Sequence, residues 1–266
     1  MLLISVSKLD IAISWLLIGA IFFCMRSCEY LETGIKEENR RTKIIRAKNI
    51  KFKKKGKSMK LDSKNLESAD MVMITFEFQK NDWRSKSVHM FCTKDKILCP
   101  VKAWAKVIKR LKNTVKNFNG DTEVCLFVSK EGSIKITGDL VRSKLRSVVE
   151  LMGEENLGFT KNDIGLHSIR AGGAMAMFLS GVCEIIIQRV GRWSSFAFLE
   201  YIREQVDCFT VGVSEKMLEH QDFFHLNEKE SSKILRKTNL HPRNDDGPDE
   251  IPFDIRFSNM VLNKTK

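Results

Sequence analysis

The stretch that decides the fold spans residues 165–201 and reads GLHSIRAGGAMAMFLSGVCEIIIQRVGRWSSFAFLEY. His167 and Arg170 stand three positions apart, so on a helix both side chains lie on one face and can contact the same phosphate. Tyr201 follows one short helix later and can supply a nucleophilic hydroxyl. The chain has one other tyrosine, Tyr30. This order and spacing predict phosphodiester chemistry on DNA.

The composition predicts a globular protein with a polyanionic partner. Of its 266 residues 43% are hydrophobic, and 17 are phenylalanines, which is enough for a sizeable core. Lysine and arginine together number 45 against 33 acidic residues, for a formal net charge of +12 and a pI of about 9.4. Such a charge favours nucleic acid over a membrane surface, and simple solubilising charge is an equally weighted alternative.

The cysteines indicate a reducing compartment and no metal site. They occupy positions 24, 28, 92, 99, 125, 183 and 208, with no C-x-x-C pair and no histidine at zinc-ligand spacing. An odd number, mostly inside apolar runs, predicts free thiols rather than a disulfide framework. We therefore expect no metal and no small-molecule cofactor. The expected location is the nucleus if the source is eukaryotic and the cytoplasm otherwise.

An apolar run over residues 11–25 (IAISWLLIGAIFFCM) is a candidate membrane segment. It is shorter than the roughly 20 apolar residues that a spanning helix needs, and Arg26 and Glu29 follow directly. The sequence favours a buried core helix and no membrane partner. We expect this helix to cover residues 9–32 and to end at Gly34.

The middle of the chain predicts a small antiparallel sheet and several helices. Residues 71–78 (MVMITFEF) and 86–92 (KSVHMFC) alternate as strands do and flank turn residues, which predicts a β-hairpin with Lys80 near its tip. We also expect a helix over 101–111 after Pro100 and a strand over 124–128. A further helix should run from Thr137 to about Met152, with apolar positions 140, 141, 145, 148, 149 and 152. Two more helices are expected over 167–180 and 184–190. Ser194 or Ser195 would cap the helix that carries Tyr201.

A strongly basic stretch spans residues 36–64 and includes KFKKKGK at 51–57. It predicts one or two strands joined by a flexible basic loop. One interpretation is a solvated charged loop. The other, which we favour because the run is so one-sided, is contact with DNA phosphates or a nuclear import signal. The residues expected to bind DNA are Arg40, Arg41, Lys43, Lys51, Lys53, Lys54 and Lys55.

The chain divides into two predicted regions. Residues 1–226 are expected to form the folded domain, including the basic stretch. Residues 227–266 are charged and interrupted by Pro242, Pro248 and Pro252, which predicts a mobile tail.

Several motifs together resemble the catalytic domain of the tyrosine recombinases, the phage integrase family. They are Met25-Arg26-Ser27-Cys28-Glu29, Lys80 at the hairpin tip, the H-x-x-R of residues 167–170 and Tyr201. The resemblance runs from about Leu9 to Phe209 and is greatest to integrase-type enzymes of eukaryotic mobile elements. It implies a mainly α fold with a small antiparallel β-sheet (α+β), that is, a DNA breaking-rejoining catalytic core lacking the usual N-terminal helical core-binding domain.

The resemblance also implies a role for each motif residue. Arg26 and Arg170 would bind the scissile phosphate, and His167 would transfer a proton or bind the phosphate. Lys80 would protonate the leaving 5′-oxygen. Tyr201 would form a 3′-phosphotyrosyl intermediate whose bond energy is kept for rejoining.

One position is left open by the resemblance, because family members carry His or Trp about nine residues before the tyrosine. Trp193 stands eight residues before Tyr201, and Arg192 stands nine before it. Chemical type favours Trp193, whose indole N–H can donate to a phosphate oxygen, whereas spacing favours Arg192. We expect Trp193 to fill the position and keep Arg192 as the alternative.

The predicted function is cleavage and rejoining of DNA strands in DNA integration or site-specific recombination. The expected partners are double-stranded DNA and further copies of the chain assembled on it. Residues 209–224 would dock on a neighbouring copy or, equally, pack on their own core. One alternative is a catalytically inactive, truncated DNA-binding remnant of a mobile-element integrase. A third hypothesis is a membrane-anchored protein.

Overall fold

The structure, a computed structural model, describes residues 7–35, 42–77, 85–195 and 198–199. These residues belong to the unit Met1–Arg203 and form a mixed α+β fold with two small antiparallel sheets. At this level the predicted fold class is confirmed. The predicted boundary at residue 226 and the tail beyond it lie outside the described residues.

The described elements alternate between helices and short strands. The helices are α1 (Lys8–Phe22), α2 (Ser27–Tyr30), α3 (Pro100–Thr114), α4 (Gly138–Met152), α5 (Glu154–Leu157), α6 (Leu166–Leu179) and α7 (Glu184–Gly191). The strands are β1 (Ile50–Lys54), β2 (Lys57–Met59), β3 (Met71–Phe76), β4 (Lys86–Phe91), β5 (Leu126–Ser129) and β6 (Gly132–Lys135).

Helix α1 is apolar on every side because it packs against both α3 and α6. Ser7 caps its start, accepting the backbone N–H of Asp10 at 3.1 Å. Gly19 allows α3 to approach closely, since a Cβ at this position would lie 2.6 Å from Cε2 of Trp104. None of the helices in the described part of the chain has the length and apolarity that a membrane crossing requires.

The prediction of one helix over residues 9–32 is wrong, because α1 ends at Phe22 and a separate turn of helix, α2, follows. Cys24 takes a left-handed conformation with φ of +44°, and Arg26 is extended. The Glu29 carboxylate accepts the backbone N–H of Arg26 at 2.8 Å and so caps α2. The break leaves the carbonyls of Phe23 and Cys24 available to other partners.

The four-stranded sheet has the order β2-β1-β3-β4. The predicted hairpin is confirmed as β3 and β4, with Phe76 opposite Lys86, whereas its tip at residues 78–84, including Lys80, lies outside the described residues. The strands predicted in the basic stretch are β1 and β2, joined by a tight turn in which Lys55 and Gly56 have φ of +49° and +76°.

Alternation along β1 and β3 divides the sheet into two faces. The residues that face the core are Ile50, Phe52, Val72, Ile74 and Phe76. Lys51 and Lys53 lie on the opposite face, where their cross-strand neighbours are the half-buried Met73 and Met71.

The remaining elements follow the predictions with several differences, one of which is the unpredicted short helix α5. Pro100 opens α3 and Thr137 caps α4, as expected. The predicted strand over 124–128 begins later, at Leu126, and its partner β6 was not predicted. Of the apolar positions of α4, Val141 and Val149 are buried, whereas Val148 and Met152 are exposed.

Candidate functional site

The candidate site forms where three parts of the chain meet. These parts are the break between α1 and α2, the first half of α6, and the end of α7. Arg26, Arg170 and Arg192 come from them in turn, and Glu29 lies among the arginines. Arg170, Arg192 and Glu29 are only 2%, 5% and 0% exposed. Buried charges require partners, so the contacts of each group indicate whether it holds the structure together or can bind a ligand.

Arg170 ties the break after α1 to the end of α7. Its Nη1 donates to the backbone carbonyl of Cys24, and its Nη2 donates to the carbonyl of Gly191 at 2.7 Å. Both carbonyls lie at chain positions where regular helix stops, so neither has a helical N–H partner. The guanidinium therefore joins two ends of backbone that the sequence separates widely.

Two glycines make this close packing possible. A Cβ at Gly173 would lie 2.9 Å from the Sγ of Cys24 and closer still to the backbone oxygen of Ile21. Gly173 stands three residues after Arg170 on α6, so the same face of the helix carries both. A Cβ at Gly191 would overlap the indole ring of Trp193. The absence of both Cβ atoms lets α6 rest on the last turn of α1 and lets Trp193 fold back on α7.

Trp193 covers the guanidinium of Arg170. The centre of its ring lies 4.0 Å from the Arg170 Cζ, and its second aromatic neighbour is Phe198, with ring centres 5.6 Å apart. Such stacking of a cation on an indole is attractive and stronger where water is excluded. The predicted Trp193 position is thus adjacent to the predicted second arginine.

Glu29 holds two arginines with one carboxylate. Its Oε2 accepts the Arg26 backbone N–H at 2.8 Å and the Arg192 Nη2 at 2.7 Å. Its Oε1 lies 3.4 Å from the Arg26 Nη1. The side chain of Arg26 remains 22% exposed, so Arg26 presents the most accessible guanidinium of the three.

Arg192 is enclosed by protein on all sides. It ends α7 in a left-handed conformation with φ of +59°, and its Nη1 donates to the carbonyls of Phe23 and Val190, both at 3.0 Å. The ring of Phe76 lies 3.6 Å from its Cζ. Its side chain has no exposed surface, whereas Trp193 is half-buried.

The cluster carries more positive charge than negative. Burial, followed by the charge of Arg26, lowers the pKa of Arg170 to about 10. Partial burial, followed by the charges of Arg170 and Arg26, lowers the pKa of His167, so this imidazole is neutral at pH 7. In the described part of the chain, Glu29 is the one carboxylate paired with these arginines. An anion is therefore the ligand that the electrostatics favour.

The thiol of Cys24 also borders the cluster but is no candidate nucleophile. Burial raises its pKa to about 11, even though Arg170 and Arg192 act in the opposite direction. Tyr30, beside Glu29, is fully buried, and burial raises the pKa of its hydroxyl far above the ordinary value. Neither group is ionised at neutral pH.

Several predicted site residues lie elsewhere or outside the described residues. Lys80, Tyr201, Arg40 and Arg41 are outside them. The structure describes five of the predicted DNA-binding residues. Lys43 is half-buried, Lys55 is exposed, and Lys51 and Lys53 lie on the face of the sheet opposite Phe76. The Nζ of Lys54 donates to the Ser68 hydroxyl at 3.0 Å. Across the described ranges no group of three or more metal-ligating side chains occurs.

The structural roles of Arg192 and Phe76 are not evident from the sequence. The spacing before Tyr201 makes Arg192 a candidate phosphate ligand, whereas in the structure Arg192 is buried against Phe76. The sequence holds one clue for Arg192, a charged residue directly after a helix-ending glycine. No pattern in the sequence indicates that Phe76 meets the end of α7, because this contact joins residues far apart in the chain.

One open groove on the described surface is lined by residues outside the arginine cluster. It lies between α1, α3 and β5, with a volume of about 860 Å³. Its floor includes Trp15 and Phe127, and lysines such as Lys106 and Lys130 stand at its rim.

Comparison with known proteins gives a coarse likeness. No protein-family model and no curated protein matches the chain. The chain is similar to the integrase of transposon Tn1549 in complex with a circular-intermediate DNA, with 10% identity, a TM-score of 0.41, and coverage of 87% of this chain and 60% of that one. The same integrase with transposon right-end DNA gives 9% identity, the same TM-score and the same coverage. The chain thus spans 60% of the length of these integrase structures.

Proposed function

We propose that this chain cleaves and rejoins DNA strands through a 3′-phosphotyrosyl intermediate, in DNA integration or site-specific recombination. The observation that carries the proposal is the gathering of Arg26, Arg170 and Arg192 around a single carboxylate, Glu29, with His167 three residues before Arg170 on α6. A phosphodiester is an anion, and further negative charge develops on its non-bridging oxygens as a nucleophile adds. Preorganised guanidinium groups stabilise that charge without a metal ion.

In the proposed reaction each candidate side chain has one task. The Tyr201 hydroxyl transfers its proton to the neutral His167 and attacks the phosphorus, and Arg26 and Arg170 hold the non-bridging oxygens. The bond from phosphorus to the 5′-oxygen breaks, and Lys80 donates a proton to that oxygen. Rejoining reverses these steps, when a 5′-hydroxyl attacks the phosphotyrosine. Trp193 keeps Arg170 in place through its ring and offers its indole N–H to a phosphate oxygen.

We further propose double-stranded DNA as the partner, held by the basic side chains of β1 and its flanks, and assembly of several copies on it. The net charge of +12 supports the first point, because polyanion binding releases counterions. A nuclear location and an origin in a eukaryotic mobile element remain part of the same proposal.

The test is the capture of a covalent protein–DNA adduct. The substrate is a pool of nicked duplexes with randomised sequence around the nick. Cleavage near the nick releases a short fragment that carries the new 5′-hydroxyl. This fragment diffuses away, so rejoining cannot occur and the covalent intermediate accumulates. We expect adducts from the wild type and from Tyr30→Phe, and none from Tyr201→Phe. Tyr30→Phe is the matched control because it removes the other tyrosine hydroxyl in the chain. Equal adduct levels from wild type and Tyr201→Phe would exclude the proposed nucleophile.

A second candidate function is DNA binding without catalysis. One observation favours it, since Arg170 is almost fully buried and donates to two backbone carbonyls, as a purely structural arginine does. In that case DNA binding would weaken with salt, Tyr201→Phe would bind as tightly as the wild type, and no adduct would form on any substrate.

A further inference from the structure

Arg192 contacts two of the segments that adjoin the proposed catalytic arginines. Its Nη2 binds Glu29, which holds Arg26, at 2.7 Å. Its Nη1 binds the carbonyl of Phe23, next to the Cys24 carbonyl that accepts from Arg170. It also directly precedes Trp193 in the chain. One buried side chain thus contacts the carboxylate that holds the first arginine and the carbonyl next to the acceptor of the second.

The aromatic contact of Arg192 extends this connection to the sheet. Phe76 is the last residue of β3 and lies 3.6 Å from the Arg192 Cζ. The chain continues from β3 through residue 77 into the segment 78–84 that carries Lys80. Contact with the face of the Arg192 guanidinium therefore helps to fix the position of the end of β3, which precedes that segment in the chain.

The same contacts leave Arg192 unable to bind DNA directly. Its side chain has no exposed surface, and both Nη atoms already donate to protein oxygens. A phosphate could reach it only if the Glu29 ion pair broke, and breaking a buried pair leaves an uncompensated charge. The geometry is that of an internal cross-link rather than of a ligand-binding group.

We infer that Arg192 is a positioning residue, which orients Arg26 through Glu29 and does not itself touch the scissile phosphate. This inference rests on the proposed function and deepens it. When Arg192 is removed, Glu29 keeps Arg26 as its one remaining arginine partner among the described residues and draws this guanidinium toward the interior. The variant then cleaves more slowly because the phosphate charge is neutralised less well, whereas the nucleophile is unchanged.

The test compares two scissile groups, a normal phosphodiester and an uncharged methylphosphonate. The methylphosphonate lacks the negative charge that Arg26 neutralises, so a defect in positioning Arg26 matters less on it. The variants are Arg192→Met, Arg192→Lys and the reference Arg26→Ala. Arg189→Met is the matched control, because Arg189 is an exposed arginine on the same helix, α7.

We expect Arg192→Met to lose at least about tenfold more cleavage on the phosphodiester than on the methylphosphonate, in parallel with Arg26→Ala. Arg192→Lys keeps the charge near Glu29 and should recover part of the loss. An equal loss on both substrates overturns the inference, because a general loss of folding affects both alike. So does a further decrease of about 0.9 in the salt slope of DNA binding when Arg192→Met is added to Arg26→Ala, because this would mark a direct phosphate contact of Arg192.

Failure of the proposed function gives a different result. If the wild type forms no adduct on either substrate, the DNA-cleavage proposal fails, and the inference is then judged by DNA affinity alone. A cycle of Arg192→Met, Arg26→Ala and the double variant must show that the effect of Arg192→Met depends on Arg26. Additive effects in this cycle overturn the positioning role. Should Arg192→Met fail to fold, Arg192→Lys takes its place in the cycle.

Discussion

Trp193 and Arg170 form a stacked pair in which the ring centre lies 4.0 Å from the guanidinium carbon. A guanidinium donates its hydrogen bonds in its own plane, whereas aromatic rings stack on its face. Trp193 therefore orders Arg170 without using the edge at which oxygen acceptors bind. The room for this stack comes from Gly191, where a Cβ would overlap the indole.

The first prediction separates the two roles proposed for Trp193. Trp193→Ala removes the stack and should lower the free energy of unfolding by about 2 kcal/mol or more, whereas Trp193→Phe keeps a stacking ring and should lose less than about 1 kcal/mol. If the indole N–H also donates to a phosphate, Trp193→Phe loses cleavage although it stays folded. Urea unfolding and adduct formation measure these two effects. Equal stability of wild type and Trp193→Ala would argue against the stack.

The second prediction concerns neighbouring glycines of α6 that differ in their surroundings. Gly173→Ala places a methyl group against the backbone of Ile21 and the Sγ of Cys24, and should destabilise the protein by about 2–4 kcal/mol. Gly172→Ala is the matched control, since its Cβ would lie 4.0 Å from the Ile21 Cδ1. This control should gain up to about 1 kcal/mol from better helix propensity. Similar unfolding midpoints for both variants would contradict the close approach of α6 to α1.

The third prediction is a pH dependence of stability that arises from His167. Its pKa in the folded protein is lowered, so the unfolded chain takes up a proton first as the pH falls. Stability is therefore complete above the ordinary histidine pKa of about 6.5 and decreases as the pH falls below it. His167→Gln should flatten this part of the curve. Unfolding curves between pH 5 and 8 provide the measurement, and a variant with the same pH dependence as the wild type would show that another group is responsible.

A bound anion should reverse the effect on His167. A phosphate beside Arg26 and Arg170 offsets the positive charges that, after burial, lower the His167 pKa. NMR titration with and without a short duplex should show a higher pKa for His167 when DNA is present. An unchanged pKa would place the bound phosphate away from the cluster.

The fourth prediction tests the basic face of the sheet. Lys51→Gln and Lys53→Gln should weaken DNA binding and reduce the dependence of log K on log salt by about 0.9 for each phosphate contact that is lost. Both side chains lie on the face opposite the core, so the thermal midpoint should not change. Lys161→Gln is the control, because Lys161 pairs with Glu150 at 2.6 Å on the surface. If all three variants bind alike, β1 is not part of the DNA-binding surface.

Local patterns in the sequence were sufficient for most of the elements. The alternation of residues 71–78 predicted β3, Pro100 predicted the start of α3, and Thr137 predicted the start of α4. These signals act over a few residues, through side-chain periodicity and capping. The continuous helix over 9–32 was the main error, because the break at Cys24 depends on contacts with α6 and α7 that no local pattern records.

The presence and the order of the candidate residues can be read from the sequence alone, because the H-x-x-R periodicity and the Arg26–Glu29 spacing are local properties of the chain. Only the tertiary structure decided that Arg192 lies inside the protein against Glu29 and Phe76, while Trp193 covers Arg170. A buried guanidinium is stable only where acceptors and a ring face surround it. For Arg192 these come from the break after α1 and from α2, β3 and α7, which meet only in the folded protein.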